Sequence, residues 1–263
     1  QAGDQHGMSN PDLALYRLGG IPLVQPGDDL ATLVLEAVER AGLRLEPGDV
    51  LAVAQKIMSK AEGRLVDLAT VEAGDRARQL AAETDKDPRV VELILGESRR
   101  VVRKRPGLII VEHRLGLILA NAGIDRSNIR TSTDDPRVLL LPEDADRSAA
   151  RLREALAGYL GIELPVLIND SVGRAWRNGT VGIAIGCAGL NPLYNQIGER
   201  DLFGNVLEVT EPAVADELAA AASLVMGQAA EACPAVLARG VAVSDAGADA
   251  RALLRDKNMD MFR

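Results

Sequence analysis

Aromatic residues are scarce in this chain, which has only one Trp, three Tyr and two Phe among 263 residues. Proteins that hold single-stranded nucleic acid usually stack its bases on aromatic side chains, so a site of that kind is not expected. The formal net charge of -8 also disfavours binding to nucleic acid or to an acidic membrane surface. We therefore expect no nucleic acid and no membrane among its partners, and a core built mainly from Ala, Val, Leu and Ile.

Histidine and cysteine are equally scarce. His6 and His113 are the only histidines, which disfavours a multi-histidine zinc site and a Ser-His-Asp triad. Cys187 and Cys233 lie in apolar surroundings without a Cys-x-x-Cys motif, so we expect both to be reduced core residues of a cytoplasmic protein. No apolar run in the sequence reaches the ~18 residues that a membrane-spanning helix needs.

The common phosphate-binding fingerprints are also absent. The sequence contains no GxxxxGK[ST] motif, and Gly182, Gly186 and Gly189 do not have the spacing of a GxGxxG turn. The general composition is ordinary for a globular protein, since 47% of the residues are hydrophobic and 26% are charged. A phosphate-binding site in this chain would therefore use a less common scaffold.

Apolar periodicity and turn residues divide the chain into helices and strands. Helical spacing predicts helices over residues 30–41, 71–84, 88–95, 148–160, 212–230 and 248–255. Apolar runs between turn residues predict strands over 15–18, 50–54, 108–111, 115–119, 138–141, 164–168, 181–188, 207–209, 234–238 and 241–243. We expect an α+β fold of mixed, largely antiparallel sheets with flanking helices, and no doubly wound topology.

The stretch from 164 to 189 carries the clearest chemistry. A buried apolar strand leads into Asp170 and Ser171, and Arg174 and Arg177 follow. A carboxylate and a hydroxyl are hard oxygen ligands for Mg²⁺ or Mn²⁺, and arginines bind phosphate oxygens bidentately. The same residues also fit a plain strand, an Asx turn and two solvated arginines. The stretch alone leaves both interpretations open.

Two further segments point to the same chemistry. The strand 50–54 runs into Lys56 and Lys60, whose ammonium groups suit polyphosphate, although an exposed charged loop would look similar. Asp125 follows another predicted strand, as Asp170 does. Aspartates from distant strands can converge on one cation, and the alternative is Asx capping of turns.

Eight separate stretches, in order and at matching spacing, resemble the coenzyme F420:L-glutamate ligase family. The resemblance covers nearly the whole chain from about Leu18 to Gly240, and it is to the ligase domain alone, without the C-terminal flavin domain of some relatives. The stretches are GIPLV-x-PGDDL (20–30), DVLAVAQKIMSKAEGR (49–64), NAGIDRSN (121–128), LLLPEDADRSA (139–149), NDSVGRAWRNGTVGIAIG (169–186), GERDLFGNVLEVT (198–210), ADELAAAASLVMGQAAE (215–231) and PAVLARG (234–240).

The resemblance implies a GTP-dependent ligase that adds L-glutamate in γ linkage to the deazaflavin coenzyme F420-0 or F420-1. We expect the reaction to pass through an acyl phosphate and to release GDP and phosphate. Alternatives are a non-catalytic module that binds GTP or the coenzyme, and a related ligase for a different amino acid or acceptor.

We expect Lys60, Arg174 and Arg177 to assist catalysis, since their positive charges would offset those of the phosphates. The resemblance implies further roles for individual residues. Two divalent ions, Mg²⁺ or Mn²⁺, would be held by Asp125 and Asp170 and by Ser171 and Gln228, with K⁺ as a further candidate. The nucleotide would contact a set drawn from several segments: Ile21, Pro22, Leu23, Val24, Gln55, Lys60, Asn128, Met226, Gly227, Gln228 and Ala229.

The expected architecture is an intertwined homodimer of two-domain chains. Residues 8–95 and 205–263 would form a discontinuous nucleotide-binding domain, and residues 96–204 a second α+β domain that carries metal ligands.

Overall fold

The structure is a computed structural model that describes residues 12–127, 136–244 and 247–261. Its α-helices are α1 (Leu30–Arg40), α2 (Gln55–Ala61), α3 (Asp75–Thr84), α4 (Pro88–Gly96), α5 (Ala145–Leu160) and α6 (Val214–Met226). Its strands are β1 (Ala14–Leu18), β2 (Val50–Ala54), β3 (Leu65–Asp67), β4 (Ser98–Arg105), β5 (Leu108–His113), β6 (Ile118–Ala120), β7 (Arg137–Leu139), β8 (Val166–Arg174), β9 (Arg177–Ala188) and β10 (Ala235–Arg239).

A five-stranded sheet forms the centre of the molecule, with strand order β1-β10-β2-β8-β9. Only the β2–β8 pair is parallel, and the other three pairs are antiparallel. In that pair Val53 lies opposite Ile168, and Ala54 lies opposite Asn169. The register therefore places the start of α2 beside the polar residues that follow Ile168 in β8.

Helices cover both faces of this sheet. Along β2, Leu51 and Val53 point into a core shared with α1 and α5, whereas Val50 and Ala52 point into a core shared with α6. Because β2 is buried on both faces, its sequence is a continuous apolar run rather than an alternating one. Burying one such Val or Leu side chain contributes on the order of 1.5–3 kcal/mol.

The other strands form two small antiparallel sheets, β3-β7 and β4-β5-β6, and α3 and α4 pack against the second. The α+β class and the largely antiparallel sheets are therefore confirmed. The central sheet combines β8 and β9, from the predicted 96–204 domain, with strands of the other predicted domain. The domain boundaries themselves stay a prediction.

Several element boundaries differ from those predicted. The 55–64 segment is not a loop at its start, because α2 begins directly where β2 ends and buries Ile57 and Met58. Strand β8 does not end at residue 168 but continues to Arg174, because β9 supplies a pairing partner throughout. Asp170 and Ser171 therefore lie within a strand.

Smaller differences occur near the end of the chain. Residues 207–209 and 241–243 are not strands, and a 3₁₀ helix, Ala250–Leu253, replaces the predicted last helix. Cys187 and Cys233 are both buried and unpaired, as predicted. Within the described ranges, no helix combines the length and apolar character needed to cross a bilayer.

Candidate functional site

A cavity of about 530 Å³ opens where β2 ends and β8 runs past it. Its walls come from six parts of the chain: the 21–24 loop, the junction of β2 and α2, residues 125 and 127, the polar part of β8, Thr180 of β9, and the segment 226–234 at the end of α6. Most of the predicted site residues line it: Ile21, Pro22, Leu23, Val24, Gln55, Lys60, Asp125, Asp170, Ser171, Met226, Gly227, Gln228 and Ala229.

Two lysines enter the cavity from α2. Lys56 and Lys60 are four residues apart, which places them on the same face of the helix. Gln55, at the first position of α2, is buried and accepts a hydrogen bond from Ser59 Oγ at 3.0 Å. Burial lowers the pKa of Lys60, the positive charge of Lys56 lowers it further, and Asp125 opposes both effects. The wall formed by α2 is therefore positively charged.

Asp125 faces these lysines from the other side of the cavity. Its backbone is fixed by an isolated antiparallel bridge to Leu139. Its Oδ2 lies 2.7 Å from Lys56 Nζ, and its Oδ1 accepts the Ser127 N–H at 2.6 Å. Burial alone would raise the pKa of Asp125, but the hydrogen bonds from Lys56 and Ser127 and the charge of Lys56 lower it overall. Asp125 is thus held as a carboxylate.

Asp170 lies on β8 near Asp125. Burial raises the pKa of Asp170 to about 6, with the Ser171 N–H opposing this effect and the charge of Asp125 adding to it. The two carboxylates line the same cavity, and the negative charge of Asp125 makes ionisation of Asp170 less favourable. Such repulsion favours a cation between them, because an opposite charge stabilises both ionised groups.

Strand alternation separates Asp170 from Ser171. Ile168 packs in the core on the α1 and α5 side, so Asp170, two residues on, points to that side and Ser171 to the α6 side. Gln228 also lies on the α6 side, where its Nε2 donates to Ser223 Oγ at 3.0 Å. The predicted metal ligands thus lie on two sides of β8, and their metal roles stay predictions.

The donor set fits a magnesium or manganese ion that is shared with a phosphate. Carboxylate, hydroxyl and amide oxygens are the ligands that these ions prefer. Within the described residues, no group of three His, Cys, Asp or Glu side chains is placed to hold a metal ion. Mg²⁺ usually keeps several waters and binds through one or two carboxylates together with substrate phosphates, which is the chemistry that these side chains offer.

The segment after α6 is shaped by Gly227 and Glu231. Gly227 has a φ of 74°, and a Cβ at this position would lie 2.3 Å from the Glu231 carboxyl carbon. The Glu231 carboxylate accepts the Ala229 N–H at 2.7 Å. The segment therefore turns tightly where it lines the cavity, and its role in nucleotide binding stays a prediction.

Three predicted site residues are not placed in the cavity. Arg174 and Arg177 flank the β8–β9 turn, where both are exposed, and Arg174 Nη2 donates to the Asn178 carbonyl. Neither arginine lines the cavity. Asn128 lies outside the described residues. The roles predicted for these three residues stay predictions.

Sequence reasoning assigned no role to Ser127, Asn169 and Thr180, which also line the cavity, and it did not foresee the contact that Lys56 makes there. Lys56 was visible as part of the basic segment, but its contact with Asp125 joins residues that are far apart in the sequence. Asn169 precedes Asp170 and is buried, and its Nδ2 donates to Met226 Sδ at 3.4 Å. Only the β2–β8 register and the packing of α6 bring these residues together.

Comparisons with known proteins agree with this geometry. The family profile described as F420-0:Gamma-glutamyl ligase matches residues 20–240. A protein of Methanothermobacter thermautotrophicus named coenzyme F420:L-glutamate ligase is 46% identical over 253 residues, which are 95% of this chain and 99% of that protein. The proteins of the same name from Methanopyrus kandleri and Archaeoglobus fulgidus are 46% and 39% identical, and the matches cover 95% of this chain and 99% and 96% of those proteins.

The matched region includes every described segment that lines the cavity. The likeness therefore extends over the whole candidate site and is not confined to the scaffold. This chain belongs to the F420-0:gamma-glutamyl ligase family.

Proposed function

We propose that this protein is a GTP-dependent ligase that adds L-glutamate in γ linkage to the deazaflavin coenzyme F420-0 or F420-1, releasing GDP and phosphate. The observation that carries the proposal is the single cavity in which Asp125 and Asp170 face Lys56 and Lys60. The names of the relatives support the glutamate and coenzyme substrates. GTP as the co-substrate rests on the resemblance and on the size and charge of this cavity.

The first step activates an unreactive acid. A carboxylate oxygen of the coenzyme attacks the γ-phosphorus of GTP, the bond between that phosphorus and its bridging oxygen breaks, and GDP leaves with an acyl phosphate formed. The protein's task is to align the reactants and to offset the negative charges that are brought together. Lys60, inside the cavity, donates hydrogen bonds to phosphate oxygens, and the 226–229 segment positions the nucleotide.

The second step forms the amide. The amine of L-glutamate attacks the acyl carbon, phosphate leaves, and the amine loses a proton. Asp125 and Asp170 would hold one divalent ion, and Ser171 and Gln228 a second. When bound, Mg²⁺ or Mn²⁺ neutralises the charge on the phosphate oxygens. No side chain is needed as a covalent nucleophile.

Product masses test the reaction directly. The purified protein would be incubated with the coenzyme, GTP, Mg²⁺ or Mn²⁺ and one amino acid at a time, with and without K⁺. A mass gain of one or two glutamates together with phosphate release supports the proposal. A gain with another amino acid identifies a related ligase, and nucleotide binding without phosphate release identifies a non-catalytic module.

We also propose that the protein is a homodimer of two-domain chains. The support is a set of exposed apolar side chains within residues 194–209, which face solvent in a single chain and suit burial against a second copy. These side chains belong to Tyr194, Ile197, Leu202, Phe203, Val206 and Val209.

A further inference from the structure

The Lys56 ammonium group occupies the position beside Asp125 that a bound metal ion would need. Its Nζ lies 2.7 Å from Asp125 Oδ2 and 2.6 Å from Ser127 Oγ. The Ser127 Oγ also donates to Asp125 Oδ2 at 3.1 Å, and the Ser127 N–H donates to Oδ1. Both carboxylate oxygens of Asp125 are therefore engaged by donors of the chain itself.

This ion pair joins two parts of the cavity wall that are far apart in the sequence. Lys56 lies in the first turn of α2, whereas Asp125 and Ser127 lie in the segment that precedes the undescribed residues 128–135. The Lys56 and Asp125 side chains are 28% and 26% exposed. Because the pair is only partly screened by water, the ammonium group opposes the approach of a second cation more strongly than a solvated surface lysine would.

We propose that Lys56 is a positioning residue that acts as an internal counter-cation of Asp125, holding the divalent-ion site closed until the nucleotide arrives. This inference rests on the proposed function, in which Asp125 ligates the ion. A triphosphate in the cavity offers Lys56 a competing anionic partner. When the Lys56 ammonium group exchanges its ion pair with Asp125 for one with a phosphate oxygen, the Asp125 carboxylate becomes available to the divalent ion. The divalent ion and the nucleotide therefore bind together.

The position of Lys60 supports this exchange of ion-pair partners by Lys56. Lys60 lies one turn further along α2 on the same face and lines the same cavity. The flexible four-carbon stem of a lysine lets its ammonium group exchange partners without movement of the helix. A nucleotide held by Lys60 would therefore lie within reach of Lys56.

Binding of Mn²⁺ in the absence of nucleotide tests the inference. Free Mn²⁺ would be measured by electron paramagnetic resonance in titrations of the wild type, Lys56→Met and Lys56→Arg, first alone and then with a non-hydrolysable GTP analogue. We expect Lys56→Met to bind Mn²⁺ about tenfold more tightly than the wild type without nucleotide, because the competing charge is gone. Lys56→Arg keeps the charge and should bind as weakly as the wild type.

The nucleotide provides the second readout. In the wild type, the GTP analogue should strongly increase the affinity for Mn²⁺. In Lys56→Met, the increase in affinity that the analogue causes should be about tenfold smaller. Lys104→Met is the matched control, since Lys104 is also ion-paired, with Glu83, but lies outside the cavity. It should leave Mn²⁺ binding unchanged.

The outcome separates this inference from the proposed function. If Asp125→Asn and Asp170→Asn abolish Mn²⁺ binding but Lys56→Met and a second variant, Lys56→Gln, bind it no more tightly than the wild type, the role of Lys56 is overturned and the metal site stands. If neither aspartate variant alters Mn²⁺ binding, the metal site and the role of Lys56 both fall. Thermal unfolding of each variant shows whether it is folded.

Discussion

At the residue scale, Asp170 shows how burial prepares a side chain for cation binding. Burial raises the pKa of this carboxyl to about 6, and the charge of Asp125 adds to the rise. Without a ligand, the ionised form therefore costs free energy in the folded protein. A divalent ion would remove that cost, because it stabilises the ionised form.

Replacement of Asp170 should abolish most of the activity. Asp170→Asn removes the charge with little change in shape, and loss of one electrostatic contact in a site of this kind lowers turnover by on the order of 10²–10³. The measurement is the rate of glutamate addition in the presence of GTP and Mg²⁺. Asp75→Asn is the control, because the Asp75 side chain is fully exposed at the start of α3 and lies outside the cavity. Near-normal turnover in Asp170→Asn would remove the proposed metal role.

The same variant should be more stable than the wild type when no ligand is bound. A pKa raised from 3.8 to about 6 means that the carboxyl stabilises the folded state below pH 3.8 and loses that contribution as the pH rises towards 6. At pH 8 the asparagine avoids a penalty of at most roughly 3 kcal/mol. Urea unfolding at pH 5 and pH 8 checks this, and the advantage of Asp170→Asn should be about half as large at pH 5.

At the element scale, the close packing of helices on β9 depends on two glycines. A Cβ at Gly182 would lie 2.5 Å from the Ala219 carbonyl oxygen and 2.6 Å from Asn169 Oδ1. A Cβ at Gly186 would lie 2.4 Å from the Ala145 carbonyl carbon. These glycines bring α6 and α5 against the strand that pairs with β8. The position of the site therefore depends on two glycines, which have no functional side chain.

Gly182→Ala should destabilise the protein by about 1–3 kcal/mol, since overpacking forces the backbone to shift. Because the added methyl group also meets the Asn169 side chain, GTP binding should weaken as well. Denaturant unfolding and nucleotide titration measure the two effects. Gly173→Ala, on β8, is the control, because a Cβ there meets nothing within 4 Å. Equal stability of the two variants would contradict the packing argument.

The predictable elements are those with local signals. Helix α1 follows from its apolar spacing and begins at Leu30 as predicted, and α5 ends at Leu160 as predicted, although it begins at Ala145 rather than at 148. The length of β8 was not predictable, because residues 170–174 are strand through pairing with β9, beyond the end of the β2–β8 ladder at Asn169. The Lys56–Asp125 contact was not predictable either, because it joins residues that are far apart in the sequence. The family resemblance, rather than composition, named most of the residues that line the cavity, and tertiary pairing determines which of them meet.

At the scale of the whole molecule, the exposed apolar side chains are concentrated in residues 194–209. Leu202 is 100% exposed, Phe203 90% and Val209 86%. Single exposed apolar residues are ordinary, but a run of six in one segment is typical of a surface that is covered in an assembly. A second copy of the chain is the partner that the resemblance implies.

Replacing Leu202 and Phe203 together with Ser should shift the protein towards monomers, because the double variant removes the two most exposed apolar side chains of the segment. Light scattering after size-exclusion chromatography measures the mass at several concentrations. Leu224→Ser is the matched control, since Leu224 is 86% exposed but lies on α6. A wild type that is monomeric at all concentrations would contradict the proposed dimer.

The parallel pairing of β2 with β8 has a consequence for how this site can change over evolution. Side chains alternate along a strand, so one residue inserted before Asn169 would turn Asp170 towards α6 and away from the lysines of α2. Two inserted residues would keep its orientation but displace it by about 7 Å. A single-residue insertion or deletion in this part of the chain would therefore separate Asp170 from the lysines of α2 even though every residue of the site is still present.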